Sequence, residues 1–76
     1  MTKDEFYRHL EQSVDAPIGT LTDDLALKDF PGWDSMAVVE FIAFVDEQFS
    51  MPLEYEAIMA SKTGGELAAL VGSHLT

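Results

Sequence analysis

The sequence has no cysteine, so no disulfide staple supports its fold, and it has no residue cluster with metal-ligand spacing. Basic residues are almost as scarce. Lys3, Arg8, Lys28 and Lys62 stand against 14 acidic residues, for a formal net charge of −10. Such a field repels phosphate backbones and anionic membranes and attracts proteins with basic surfaces, so neither nucleic acid nor a membrane is an expected partner. No run approaches the roughly 18 uninterrupted apolar residues of a membrane span. Met1-Thr2-Lys3-Asp4-Glu5 has no apolar run behind a basic start, so no signal peptide is expected and a cytoplasmic location is. Strand signals are missing too: there is no alternating β-branched run and no Asn-Gly or Asp-Gly hairpin.

What remains is a chain of 76 residues, 47% of them apolar. That length implies one domain, residues 1–76, with a single modest core, because folding at this size buries only about 60% of the unfolded surface. Thr2-Lys3-Asp4-Glu5 has the form of a capping box. Phe6, Leu10 and Val14 then make one apolar stripe, with Glu5, Arg8, Glu11 and Gln12 toward water, predicting a helix over about residues 3–14 that ends before Ala16-Pro17. Residues 15–33 form a long connection in which Leu21, Leu25, Leu27 and Phe30 are candidate anchors and Asp23-Asp24-Leu25 a short turn. A second helix is predicted over 35–49, stopped by Ser50-Met51-Pro52, and a short third one lies within Leu53–Ala60. Thr63-Gly64-Gly65-Glu66 repeats the capping-box spacing, and Leu67, Leu70, Val71 and Leu75 predict a last helix over about 64–75. The expected fold is all-α: a small four-helix bundle, three main helices plus one short helix, with a long first loop.

The chain is organised around Pro31-Gly32-Trp33-Asp34-Ser35-Met36 and the apolar helix behind it. Pro31 and Gly32 make a turn that delivers an Asp-Ser pair to a helix N-terminus. A serine so placed has its hydroxyl in solvent, beside unpaired N–H groups and the positive end of the helix dipole, a good seat for a phosphate ester. Phe41, Val45 and Phe49, with Val38 and Ile42, form the core face of this helix. Met36, Val39 and Ala43 form a second apolar strip interleaved with Glu40 and Glu47. In so small a domain something apolar stays outside, and this strip begins beside the serine.

Catalysis needs a nucleophile with a base, a tuned carboxylate pair or a metal. His9 and His74 read as surface residues, and neither is placed near Ser35. The Asp23–Asp34 stretch lacks the alternating ligands and central glycine of a calcium loop. No glycine-rich phosphate loop is present. No enzymatic activity of the chain's own is expected.

Asp34-Ser35-Met36 opening an apolar helix, preceded by Gly32-Trp33 and followed by Val38-Val39-Glu40-Phe41, in an acidic bundle of this length with a long first loop, resembles the acyl carrier proteins. The resemblance covers essentially the whole chain. In that family an Asp-Ser-Leu sequence carries 4'-phosphopantetheine on its serine. It implies that Ser35 is the attachment point, modified by a separate phosphopantetheinyl transferase. The cofactor's thiol would then hold an acyl group as a thioester. Asp34, Met36, Val39, Glu40, Ala43 and Glu47 would match the family's docking surface for acyl-loading and acyl-processing enzymes with basic surfaces. Glu56 and Met59 would complete that surface, with Phe41, Ile42 and Val45 on the core side of an acyl cavity.

Some positions depart from the family's common pattern: Trp33 is bulky where a small residue is frequent, Ala37 stands where an acidic residue is frequent, Ala43 replaces a larger apolar residue, and Phe41 and Phe44 are large. They imply a specialised free-standing carrier for a short acyl, polyketide, hydroxyacyl or aminoacyl unit rather than a long fatty acyl group. The competing expectation is an acidic helical adaptor without a prosthetic group, in which Ser35 is only a helix cap. A hydrolase using Ser35 directly lacks a base. The charge opposes self-association, so a monomer is expected.

Overall fold

The computed structural model covers residues 1–76 and is a small, mostly helical domain with four helices and no strands. The helices are α1 (Lys3–Ser13), α2 (Ser35–Phe49), α3 (Tyr55–Ala60) and α4 (Gly64–Ala69). Short 3-10 turns occupy Leu27–Asp29 and Gly72–His74. None of the helices is long and apolar enough to cross a membrane.

Helix α1 starts with the capping box read from its sequence. The Thr2 hydroxyl accepts from Glu5 N, and Glu5 Oε1 accepts from Thr2 N. The Thr2 backbone N–H foremost, then the Thr2 side chain, hold the Glu5 carboxyl below its usual pKa. The helix ends at Ser13 in a Schellman arrangement: Ala16 N donates to Glu11 O and Asp15 N to Gln12 O, with Asp15 left-handed at φ +58°. Phe6, Tyr7 and Leu10 are buried, and Phe6 meets Phe41 of α2 edge to face at 5.8 Å.

Glu11 was expected to face water and does not. Its side chain is only 1% exposed, because Oε2 accepts from the backbone N–H groups of Gly19 (2.9 Å) and Leu21 (2.8 Å). The Arg8 Nε lies 2.9 Å from Glu11 Oε1, but its N–H is not aimed at that oxygen, so charge rather than a hydrogen bond holds the pair. A carboxylate that the helical pattern assigns to solvent instead ties the start of the long loop across α1. A buried carboxylate with this many partners is kept because the loop would otherwise leave its own N–H groups unpaired.

The loop's four apolar anchors act as expected: Leu21, Leu27 and Phe30 are buried, and Leu25 packs against the core. Its middle is tied to the start of α4. Leu27 N donates to Lys62 O, Gly64 N to Leu25 O and Gly65 N to Asp23 O, at 2.8, 3.0 and 3.0 Å, around an antiparallel Ala26–Thr63 bridge. Loop carbonyls thus satisfy N–H groups that a helix start leaves open. The approach is so close that a Cβ on Gly64 would lie 2.2 Å from Thr22 O. At the loop's bend, Asp23 accepts from Tyr7 Oη and pairs with Lys3. The Tyr7 bond, then Lys3, hold the Asp23 carboxyl below its usual pKa. Burial, then the Asp23 carboxylate, push the Tyr7 phenol up.

Helix α2 spans the residues its pattern predicts and ends at Ser50, left-handed at φ +50°, two residues before Pro52. It buries Ala37, Val38, Phe41 and Val45, and α3 packs beside it through buried Ile58. Helix α4 is shorter than the expected 64–75. Thr63 caps it by accepting from Glu66 N, but Leu70 N and Val71 N bond three residues back, to Leu67 O and Ala68 O, tightening the last turn. Val71 then leaves helical geometry at φ −115°, ψ 17°, and Gly72, a poor helix former, follows. The 3-10 turn carries the apolar pattern onward, with Val71 buried and Leu75 against the core.

Two glycine substitutions separate the packing constraint from ordinary backbone entropy. Gly64→Ala is expected to destabilise the domain by about 1–3 kcal/mol, because its methyl meets rigid backbone. That lowers Tm by about 4–8 °C per kcal/mol in a domain of this size. Gly72 has nothing within 4 Å of its would-be Cβ, so Gly72→Ala is expected to be neutral or stabilising by up to about 1 kcal/mol. Thermal unfolding of the two variants measures the contrast.

Candidate functional site

The site is built on a turn. Trp33 N donates to Phe30 O at 3.1 Å across Pro31-Gly32, with Gly32 at φ +80°, the sequence and backbone pattern of a type II turn. The turn sits against the end of α1: a Cβ on Gly32 would lie 2.9 Å from Val14 Cβ. Buried Phe30 anchors it from below, and Trp33 packs on Phe30 and on Phe41, each at 5.9 Å between ring centroids.

This fixed turn aims Asp34 and Ser35 differently. Asp34 is the N-cap of α2: Oδ1 accepts from Ala37 N at 2.9 Å, and its carbonyl accepts from Val38 N at 3.0 Å. Ser35 is the first helical residue and is exposed. The cap is therefore a carboxylate, and the serine hydroxyl beside it is left over. The N–H groups of Ser35 and Met36 have no carbonyl one turn back within the helix, and the dipole of a 15-residue helix ends there. An anionic ester on Ser35 has favourable surroundings on both counts.

The residues expected around Ser35 lie outside the core. Met36 and Val39 are 71% and 59% exposed on α2, with Glu40, Ala43 and Glu47 exposed on the same helix. Glu56 and Met59 are exposed on the neighbouring α3. Met36, Val39 and Met59 are large apolar side chains left in water while Val38 and Phe41, on the other side of α2, are buried. A helix with two apolar faces has buried one and kept the other.

A cleft of about 590 Å³ opens beside the motif, lined chiefly by Trp33, Asp34, Val38, Ile58, Met59 and the clamped segments 26–28 and 61–63. Phe41, Ile42 and Val45 do not line it. Phe41 and Val45 are consumed by the core, where Phe6 and Trp33 press on Phe41, so the expected cavity wall is instead Val38 and Ile58. Sequence reasoning did not assign Lys28 or Lys62 to the site. They are 34 positions apart, and only the loop–α4 clamp brings them together, so no local spacing announces them. His9 stacks on Phe44 (3.8 Å) and His74 on Phe49 (5.1 Å), and neither lines the cleft.

No family model matches the chain, and neither a curated protein nor a solved structure matches it.

The division of labour between Asp34 and Ser35 is measurable. Asp34→Ala is expected to cost about 1 kcal/mol, the usual loss for an N-cap. Ser35→Ala is expected to change stability by less than about 0.5 kcal/mol, as for an exposed substitution away from any cap. Urea unfolding of the two variants distinguishes these values, and a larger loss at Ser35 would make the serine a structural residue.

Proposed function

We propose that the chain is an acyl carrier-like protein whose Ser35 bears a covalent 4'-phosphopantetheine arm. The observation that carries this reading is that Asp34 does the capping, which leaves an exposed hydroxyl with no structural task at the N-terminus of α2. Asp34 fills the N-cap position, which supports a role for Ser35 other than capping. The resemblance of the motif and its flanks to the acyl carrier proteins supplies the identity of the group.

On a separate transferase, the Ser35 oxygen attacks a phosphorus of coenzyme A's pyrophosphate. A P–O bond forms at the pantetheine-side phosphorus, the bridging P–O bond breaks, and the adenosine 3',5'-bisphosphate fragment leaves while the transferase takes the hydroxyl proton. When bound, the arm supplies a thiol that carries an acyl group as a thioester. The chain itself contributes position and recognition. The fixed Phe30–Trp33 turn presents the attachment oxygen, and the helix N-terminus favours the phosphodiester's charge. Met36, Val39, Ala43 and Met59 offer apolar contact to a partner, and Asp34, Glu40, Glu47 and Glu56 offer charge to a basic surface. Docking of this kind is brief and screened by salt. The large Phe41 and Phe44 fill the bundle, and the open cleft lies outside it, which favours a short cargo over a long fatty chain.

Incubation with coenzyme A and a broad-specificity phosphopantetheinyl transferase is expected to raise the intact mass by one phosphopantetheine. The Ser35→Ala variant is expected to stay unmodified, and the transfer rate to fall as salt rises. An unmodified, folded wild type would leave the acidic adaptor as the reading, with its partners meeting the same helix face.

A further inference from the structure

The chain has four basic side chains, and two of them are already committed: Lys3 pairs with Asp23, and Arg8 pairs with Asp4 and Glu11. The side chains of the other two, Lys28 and Lys62, have no ion-pair or hydrogen-bond partner, although the chain has 14 acids. Both line the cleft beside Ser35. They meet there because Leu27 N bonds Lys62 O at 2.8 Å and Ala26 bridges Thr63, which sets their backbones side by side. Six of the cleft's eleven lining residues are apolar, among them Trp33, Val38, Ile58 and Met59. Asp34 is the one acidic lining residue, and its carboxylate is engaged by Ala37 N at the start of α2.

From this pairing of an apolar lining with two uncommitted ammonium groups, we propose that the cleft binds a short acyl group that ends in a carboxylate. The apolar lining covers the chain of the ligand, and Lys28 and Lys62 take its terminal charge. A volume of about 590 Å³ lies within the usual few hundred Å³ of small-molecule sites. The source of the ligand follows from the net charge of −10, which disfavours free anions at long range. A tethered anion escapes that penalty, because a short flexible link holds it at an effective concentration in the millimolar range. The favoured ligand is therefore a dicarboxylic acyl unit delivered on the arm, an inference that rests on the carrier reading for its source but not for the cleft's chemistry.

The test compares amide and indole NMR shifts of the chain loaded through the transferase with glutaryl- or valeryl-phosphopantetheine, which differ by the terminal carboxylate. The glutaryl form is expected to perturb Lys28, Trp33, Met59 and Lys62 more than the valeryl form. Its bound-to-free ratio is expected to be about tenfold higher, as two partly exposed ion pairs supply. In a Lys28→Gln/Lys62→Gln double variant, whose fold is checked by circular dichroism, that difference is expected to disappear. Equal perturbation by the two groups, or a difference that survives in the double variant, would overturn the inference. Unloaded protein titrated with free monomethyl glutarate or methyl valerate separates the two sources. Saturable shifts at the same residues with the acid alone would keep the anion site and make the tether unnecessary. If no arm can be attached to Ser35, the carrier reading fails and this titration decides, absence of shifts overturning the anion site as well.

Discussion

The close contact of Gly64 with the carbonyl of Thr22 is the constraint on which the rest of the structure depends. A loop of some twenty residues between the first two helices has no regular pairing of its own, and its ordering must offset a large entropic cost. The contact lets three backbone hydrogen bonds form between residues 23–27 and 62–65, closing the loop against the start of α4. At the loop's start Glu11, buried beneath it, receives the N–H groups of Gly19 and Leu21. With its start and middle fixed, Leu21, Leu27 and Phe30 drop into the core, and Phe30 in turn holds the turn that aims Trp33, Asp34 and Ser35. The geometry of the site is inherited from a backbone contact in a different part of the chain.

Helix α2 shows how a chain this small divides limited apolar surface. Its inner residues meet α1, α3 and the loop, and Phe6, Phe41 and Trp33 form one aromatic contact line from the core to the motif. Its outer residues, Met36 and Val39, remain in water, as does Met59 of α3. On the proposed carrier reading, exposed residues of this kind set among acidic side chains would serve short encounters rather than a permanent interface. The charge distribution adds a second asymmetry, since the two lysines without partners line one cleft whose single acidic lining residue is Asp34.

Much of this was legible in the chain. The Thr2 and Thr63 caps, the span of α2 and the loop anchors all follow from local rules of capping and periodicity, and those rules act over one or two turns. The exposed second strip of α2 was legible as well, from the mismatch between its two apolar faces and the size of the domain. Glu11 was misread because helical spacing places it on the water side, and the chain turns back over it only eight to ten residues later, beyond the reach of one-turn spacing. The end of α4 was overestimated because apolar spacing persists through a 3-10 turn, so periodicity alone did not reveal where helical bonding stops. The cleft was illegible for the same reason as Glu11: Ala26–Lys28 and Ser61–Thr63 meet only through the clamp. The identity of the site's chemistry rests on Asp34-Ser35 and their flanks, where the structure adds that the cap and the free hydroxyl are different residues.

The account turns on whether Ser35 accepts a phosphodiester. Phosphorus NMR of the purified chain after reaction with coenzyme A and a phosphopantetheinyl transferase tests this most directly. The account predicts a single phosphodiester resonance in the wild type that is absent from Ser35→Ala, with the amides of Ser35 and Met36 shifted by the new charge. A wild type without phosphorus signal, or a signal that persists when Ser35 is replaced, would contradict it.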